Sequence, residues 1–199
     1  MKLNSLILSA ILAASSLSLC AETLPAPQVT GGMPLMQAMA ERKSVRDYDF
    51  SQPVTKQELS NILWAAWGIT HDGKHTIATA MNRQELSLYV ITDHDVSLYN
   101  PEDNSLTVVN IGDFRELAGR QDFAKAAPVN VALVVDSQKQ ERLEFQAYTA
   151  GAASQNIYLY CASAGLKTVV RAMFNHDALP EALKLKPNEK ILFVQTIAH

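Results

Sequence analysis

The chain has 199 residues, 48% of them apolar and 19% charged, with eight glycines, eight prolines and two cysteines. That length suits one compact domain with its own core, and two cysteines exclude a disulfide-stapled scaffold. Seventeen basic against twenty acidic residues give a net charge of −3, which excludes the basic field of a generic nucleic-acid binder, and the apolar content excludes a disordered chain.

In chain order, Met1 to Ala21 reads as a secretory signal peptide: Lys2 supplies an early positive charge, Leu6 to Leu19 an apolar run, and Cys20-Ala21-Glu22 a processing region. The run is short for a bilayer span, so it reads as directing export, into a periplasm, rather than as a permanent transmembrane anchor. Leu17-Ser18-Leu19-Cys20 approximates a lipoprotein processing site, in which Cys20 would carry the lipid and a membrane contact; cleavage after Ala21 is the alternative. The second cysteine, Cys161, then reads as a buried small hydrophobe on an apolar helix. Residues 22–32, with Pro25, Pro27, Gly31 and Gly32, read as a tether, and 33–199 as a single domain.

Met33 to Lys43 has Leu35, Met36 and Met39 at helical spacing. Thr55-Lys56-Gln57-Glu58 forms a capping box ahead of the stripe Leu59, Ile62, Leu63, Ala66 and Trp67, with Gly68 as the stop. Leu86 to Thr92 alternates as a strand, and Ser97 to Tyr99 with Leu106 to Val109 flank a turn at Asn100 to Asn104. Val129 to Val135 is a continuous apolar run, the pattern of a strand buried on both faces. Arg142 to Gly165 is the longest helix, rich in small residues from Ala147 to Ser154, with Gly165 as its C-cap. Lys167 to Phe174 reads as a strand, Asp177 as the cap of a short helix through Leu183, and Ile191 to Ala198 as the last strand. Strands and helices mix without regular alternation, so the class is α+β.

The densest polar group is Glu41-Arg42-Lys43-Ser44-Val45-Arg46-Asp47 at a helix end. Arginine offers forked donors to phosphate oxygens, lysine a point charge and serine a short donor, a set suited to a phosphate monoester. A solvated charged turn fits the same composition. His71 and His75 flank Gly73, which makes a loop rather than a helix face, and no cysteine or suitably spaced carboxylate completes a metal site. Trp64 and Trp67 read as core and interface packing, and His176-Asp177 as a helix cap.

Arg42-Lys43-Ser44-Val45-Arg46-Asp47-Tyr48, Pro53-Val54-Thr55, Glu58-Leu59 and Leu63-Trp64-Ala65-Ala66-Trp67-Gly68, taken in that order, resemble the opening of the nitroreductase family. Ala78 to Gln84 resembles its Pro-Ser-Ser/Ala-x-Asn-x-Gln segment; Ala127-Pro128 before a strand, and Gln155 to Leu159 with Ala164 to Leu166, continue the likeness. The Leu63 to Gly68 wording is similar to the branch with thiazoline/oxazoline dehydrogenase-like proteins. The resemblance implies a mainly antiparallel sheet flanked by helices, an intertwined homodimer, and FMN at the dimer interface. It places the phosphate and ribityl contacts on Arg42, Lys43, Ser44 and Arg46, and Asn82 facing the flavin ring. Thr79 would reach the cofactor from the partner subunit, Gln84 would lie beside it, and the backbone N–H groups of Ala172 and Met173 would approach flavin N5 and O4.

The implied activity is oxidoreduction by a ping-pong cycle, from a small reduced donor to a quinone-like or nitroaromatic acceptor, with the flavin rather than a catalytic side chain carrying the chemistry. Three departures stand out. Ala78 replaces the family proline, Ala172 or Met173 replaces a glycine near N5, and relatives draw phosphate ligands from beyond the last strand, a role left here to Arg171 or His199. Because nicotinamide donors are cytoplasmic, export points to an alternative: a non-catalytic flavin- or planar-ligand-binding protein of the same fold. A third reading treats Arg42 to Arg46 as a surface patch on an exported binding module without flavin.

Overall fold

The computed structural model describes residues 21–199. The signal-peptide reading of Met1 to Ala21 lies outside them except for Ala21 itself, and lipidation at Cys20 lies outside them altogether. Seven strands form one antiparallel sheet: β1 (Ala21–Thr23), β2 (Leu86–Ile91), β3 (Asp95–Asn100), β4 (Ser105–Ile111), β5 (Val129–Asp136), β6 (Lys167–Arg171) and β7 (Glu189–Ala198), in the order β1-β4-β3-β2-β5-β7-β6. The helices are α1 (Leu35–Glu41), α2 (Lys56–Trp67), α3 (Arg115–Ala118), α4 (Asp122–Ala126), α5 (Leu143–Ala164) and α6 (Ala178–Ala182). The class is α+β, a sheet flanked by helices.

β5 shows how the sequence builds this arrangement. Its alternating side chains Val129, Val131, Leu133 and Val135 enter a core with α2 and α5, while Ala132 and Val134 enter a second core with Ala118 of α3 and Leu179 of α6. A strand covered on both faces must be apolar throughout, which is why it reads as one unbroken run. α2 starts where the sequence places it: the Thr55 side chain accepts from Glu58 N, and the Glu58 carboxylate accepts from Thr55 N at 2.7 Å. α5 ends at Gly165, whose φ of 74° is a left-handed conformation that glycine adopts without a Cβ penalty.

Several local readings are corrected. The segment read as a tether from 22 to 32 is laid against the domain: β1 pairs with β4, Leu24 is buried, and the Pro25 carbonyl accepts from Ser60 Oγ at 2.6 Å and Asn104 Nδ2 at 2.9 Å. The open edge of β4 and the apolar Leu24 side chain both favour docking over a free linker. β6 stops at Arg171 rather than Phe174. α6 is capped by Asn175, whose Oδ1 accepts from Asp177 N and Ala178 N at 3.2 and 3.0 Å, and not by the Asp177 side chain. The short helices α3 and α4 have no counterpart among the elements assigned from sequence.

Candidate functional site

The outer edge of β6 organises the basic cluster. Val45 N donates to the Thr168 carbonyl at 3.0 Å, so the Arg42 to Arg46 segment runs along the last strand of the sheet. Lys43 and Val45 line a cleft of about 520 Å³ together with Lys167, Thr168 and Gly165. Tyr158 of α5 lines the same cleft; its hydroxyl oxygen lies 2.7 Å from that of Ser44, and the Arg42 guanidinium lies 5.2 Å from the centre of its ring. The structure therefore brings Arg42 and Ser44 together at Tyr158, on the cleft that Lys43 also lines. Arg46 is exposed.

The charges of this cluster are not neutralised internally. Among the described residues, no carboxylate lies within ion-pair distance of Arg42, Lys43 or Arg46. Two neighbouring acids hold other partners: Glu41 accepts from Gln37 Nε2, and Asp49 from Ser51 and Gln52. Those hydrogen bonds hold the Asp49 carboxyl down at about 2. Glu41 lines the cleft beside Lys43 without pairing with it, and three cations and a hydroxyl outside any ion pair suit an anion.

Ala172 and Met173 follow β6 on the same edge, about 13 Å along the strand from Thr168. Both are exposed, and neither backbone N–H donates to a described acceptor. Arg171 stands behind them and does not join the anion grip. It is 6% exposed, its Nη1 donates to the Ala118 carbonyl at 2.8 Å, and its Nη2 donates to Asn130 Oδ1 at 2.9 Å and Thr196 Oγ1 at 2.5 Å. Burial pulls its pKa down to about 10. Gly119 makes room for it, since a Cβ there would fall 2.1 Å from Arg171 Nη1. His199 faces α2, its Nε2 being 3.6 Å from the Glu58 carboxylate.

Thr79, Asn82 and Gln84 form a separate group. They line a smaller cleft of about 270 Å³ with Lys74 and His75, while Thr79 and its neighbours Ala78 and Ala80 also lie against Phe145 and Tyr148 near the start of α5. Tyr158 is ten residues further on, so one chain holds this group roughly 15 Å from the Arg42–Ser44 group. The loop is strained: Met81, Asn82 and Gln84 all have φ between 50° and 54°. Each such non-glycine position costs about 1–3 kcal/mol, and strain of this kind concentrates at ligand sites. Thr79 Oγ1 accepts from Gln84 N at 3.1 Å, which pins the loop and leaves the threonine hydrogen free to donate.

The sequence from 39 to 199 matches the model of the Nitroreductase family. The chain belongs to the nitroreductase family. A curated protein of Methanocaldococcus jannaschii that carries the nitroreductase name is 31% identical over 169 residues, covering 76% of this chain and 85% of that protein. A crystal structure from Ralstonia eutropha, likewise named for a nitroreductase, superposes with a TM-score of 0.83 at 36% identity, covering 90% of this chain and 89% of its own. Another nitroreductase-named structure, from Desulfovibrio desulfuricans, is in complex with FMN; at 21% identity and a TM-score of 0.63, over 85% of this chain and 87% of its own, it shares the fold. Members of the nitroreductase family are oxidoreductases.

Sequence reasoning missed Tyr158. It stands in the sequence only as one residue of the Gln155 to Leu159 block, and nothing in the spacing relates it to Ser44, 114 positions away. The buried thiol of Cys161 lies near it, its pKa raised by desolvation.

Proposed function

We propose that the chain is an FMN-dependent oxidoreductase of nitroreductase type, working as a homodimer and passing hydride or electrons by ping-pong turnover from a reduced donor to a quinone-like or nitroaromatic acceptor. The observation that carries this reading is the donor set on the β6 edge: Ser44 with Arg42, Lys43 and Arg46, none of them ion-paired among the described residues, and beyond them the free amides of Ala172 and Met173. When bound, FMN supplies the hydride chemistry itself. The cations and Ser44 hold its phosphate, and the two amides point dipoles at the ring edge where negative charge gathers on reduction. The FMN complex of the Desulfovibrio relative supports the choice of ligand.

The second copy enters because Thr79, Asn82 and Gln84 line a different cleft from the one beside the β6 edge, and the family resemblance assigns Thr79 to the partner's cofactor; a partner's loop then completes the site. Export directed by Met1 to Ala21 is part of this proposal. That segment also favours a second reading, an exported flavin- or planar-ligand-binding protein of the same fold without turnover, since export removes the cytoplasmic nicotinamide supply.

An absorbance spectrum of the purified protein, followed by FMN titration, tests the reading. Stoichiometric flavin binding is expected. Replacing both Arg42 and Arg46 by Ala removes charge-assisted bonds each worth about 1.5–3 kcal/mol, so the double variant should lose flavin while its unfolding transition persists. Flavin retained at full stoichiometry in that variant would overturn the phosphate assignment. With flavin bound, anaerobic reduction by NADH and reoxidation by a quinone separate the two readings.

A further inference from the structure

We propose that Tyr158 is a positioning residue that turns the Ser44 hydroxyl hydrogen, and the Arg42 guanidinium beside it, toward a phosphate monoester; the inference rests on the flavin reading above. Three observations meet at one phenol. Val170 N donates to Tyr158 Oη at 3.0 Å, on the open side of the outermost strand. Tyr158 Oη and Ser44 Oγ are 2.7 Å apart. The Arg42 guanidinium sits over the same ring, 5.2 Å from its centre.

The direction of the Tyr158–Ser44 bond follows from hydrogen counting. A phenol carries one hydrogen, and Val170 N–H already occupies one of its acceptor positions. Either hydroxyl could donate in this pair; with Ser44 as the donor, the phenol hydrogen of a residue only 6% exposed would have no protein acceptor among the described residues and would depend on its narrow opening onto the cleft, whereas with Tyr158 as the donor both hydrogens are used. Tyr158 therefore donates to Ser44 Oγ, and the serine hydrogen is released toward solvent, where Ser44 is exposed. The chain of donation runs from the Val170 amide through the phenol and the serine to the anion. The ring face meanwhile holds the Arg42 guanidinium by cation–π attraction, which reduces the side-chain freedom lost on binding. One aromatic residue from α5 thus orders two donors that the sequence places in a turn.

The test is a double-mutant cycle on binding, read by flavin fluorescence quenching, with Tyr158→Phe, Ser44→Ala and the pair, each titrated with FMN and with riboflavin, which lacks the phosphate. Tyr158→Phe keeps the ring and should weaken FMN about tenfold while leaving riboflavin affinity unchanged. The pair should bind FMN no more weakly than Ser44→Ala alone, because the phenol acts through the serine. Equal weakening of FMN and riboflavin would reduce Tyr158 to a structural prop and overturn the proposal, as would losses that add in the pair or an unchanged FMN affinity in Tyr158→Phe. Wild-type protein that takes up neither ligand overturns the flavin reading together with this one; wild-type FMN binding with an additive cycle overturns this one alone.

Discussion

At the scale of single residues, His75 carries a pH response. Its ring stacks on Trp67 with 3.5 Å between ring centres, and its Nδ1 lies 2.8 Å from the Trp67 carbonyl. A carbonyl only accepts, so Nδ1 bears a hydrogen. Desolvation in this position lowers the imidazole pKa, outweighing the hydrogen bond that raises it. The unfolded chain then binds the proton more readily than the folded one, so stability rises with pH across the interval between the two values. This contribution is fully present above the ordinary histidine value of about 6.5 and is lost as pH falls through the lower, folded one. Urea midpoints compared at about pH 7.5 and about pH 5.5 should fall further in the wild type than in His75→Phe, which keeps the stack and cannot titrate. Parallel falls in the two proteins would remove His75 as the source.

Among the elements, α2 rests most plainly on local chemistry. Thr55 and Glu58 satisfy each other's backbone donors, so Thr55→Ala should cost about 1 kcal/mol, read as a melting point lower by about 2–4 °C; an unshifted melting point would mean that packing alone sets the start of the helix. Features of this kind are legible in a sequence because they join residues three or four apart: the capping box, the Gly165 stop and the alternation of β2. β5 was legible because burial on both faces demands one composition throughout. α3 and α4 were not, since Arg115–Ala118 and Asp122–Ala126 are single turns too short to show a period. The docking of residues 21–28 was hidden too, because Pro25 and Pro27 look like linker residues while the carbonyls of Pro25 and Ala26 are claimed by groups far away in the chain, Ser60, Asn104 and Gln57.

For the whole molecule, the sequence named the site residues through resemblance, but spacing could not show that they fall into two groups at opposite ends of an α5 segment, nor that Tyr158 joins one of them. That separation and the surface of the single chain point the same way. Leu35, Met36 and Met39 of α1 and Leu143 and Tyr148 of α5 are exposed, an apolar share of surface that association would cover. On α5, Glu144, Ala147, Tyr148, Gly151 and Gln155 form an exposed stripe at helical spacing, and a Cβ added at Gly151 meets nothing within 4 Å in the same chain. A larger side chain there is harmless to a lone protomer and obstructs a second copy packed closely against the helix. Under the homodimer proposal, Gly151→Leu should keep the wild-type circular dichroism, shift the sedimenting mass from that of two chains to that of one, and release FMN because the partner's Thr79–Gln84 loop is withdrawn. A wild-type protein that sediments as a single chain and still binds one FMN would sink the shared site and leave the β6 edge as a complete site in itself.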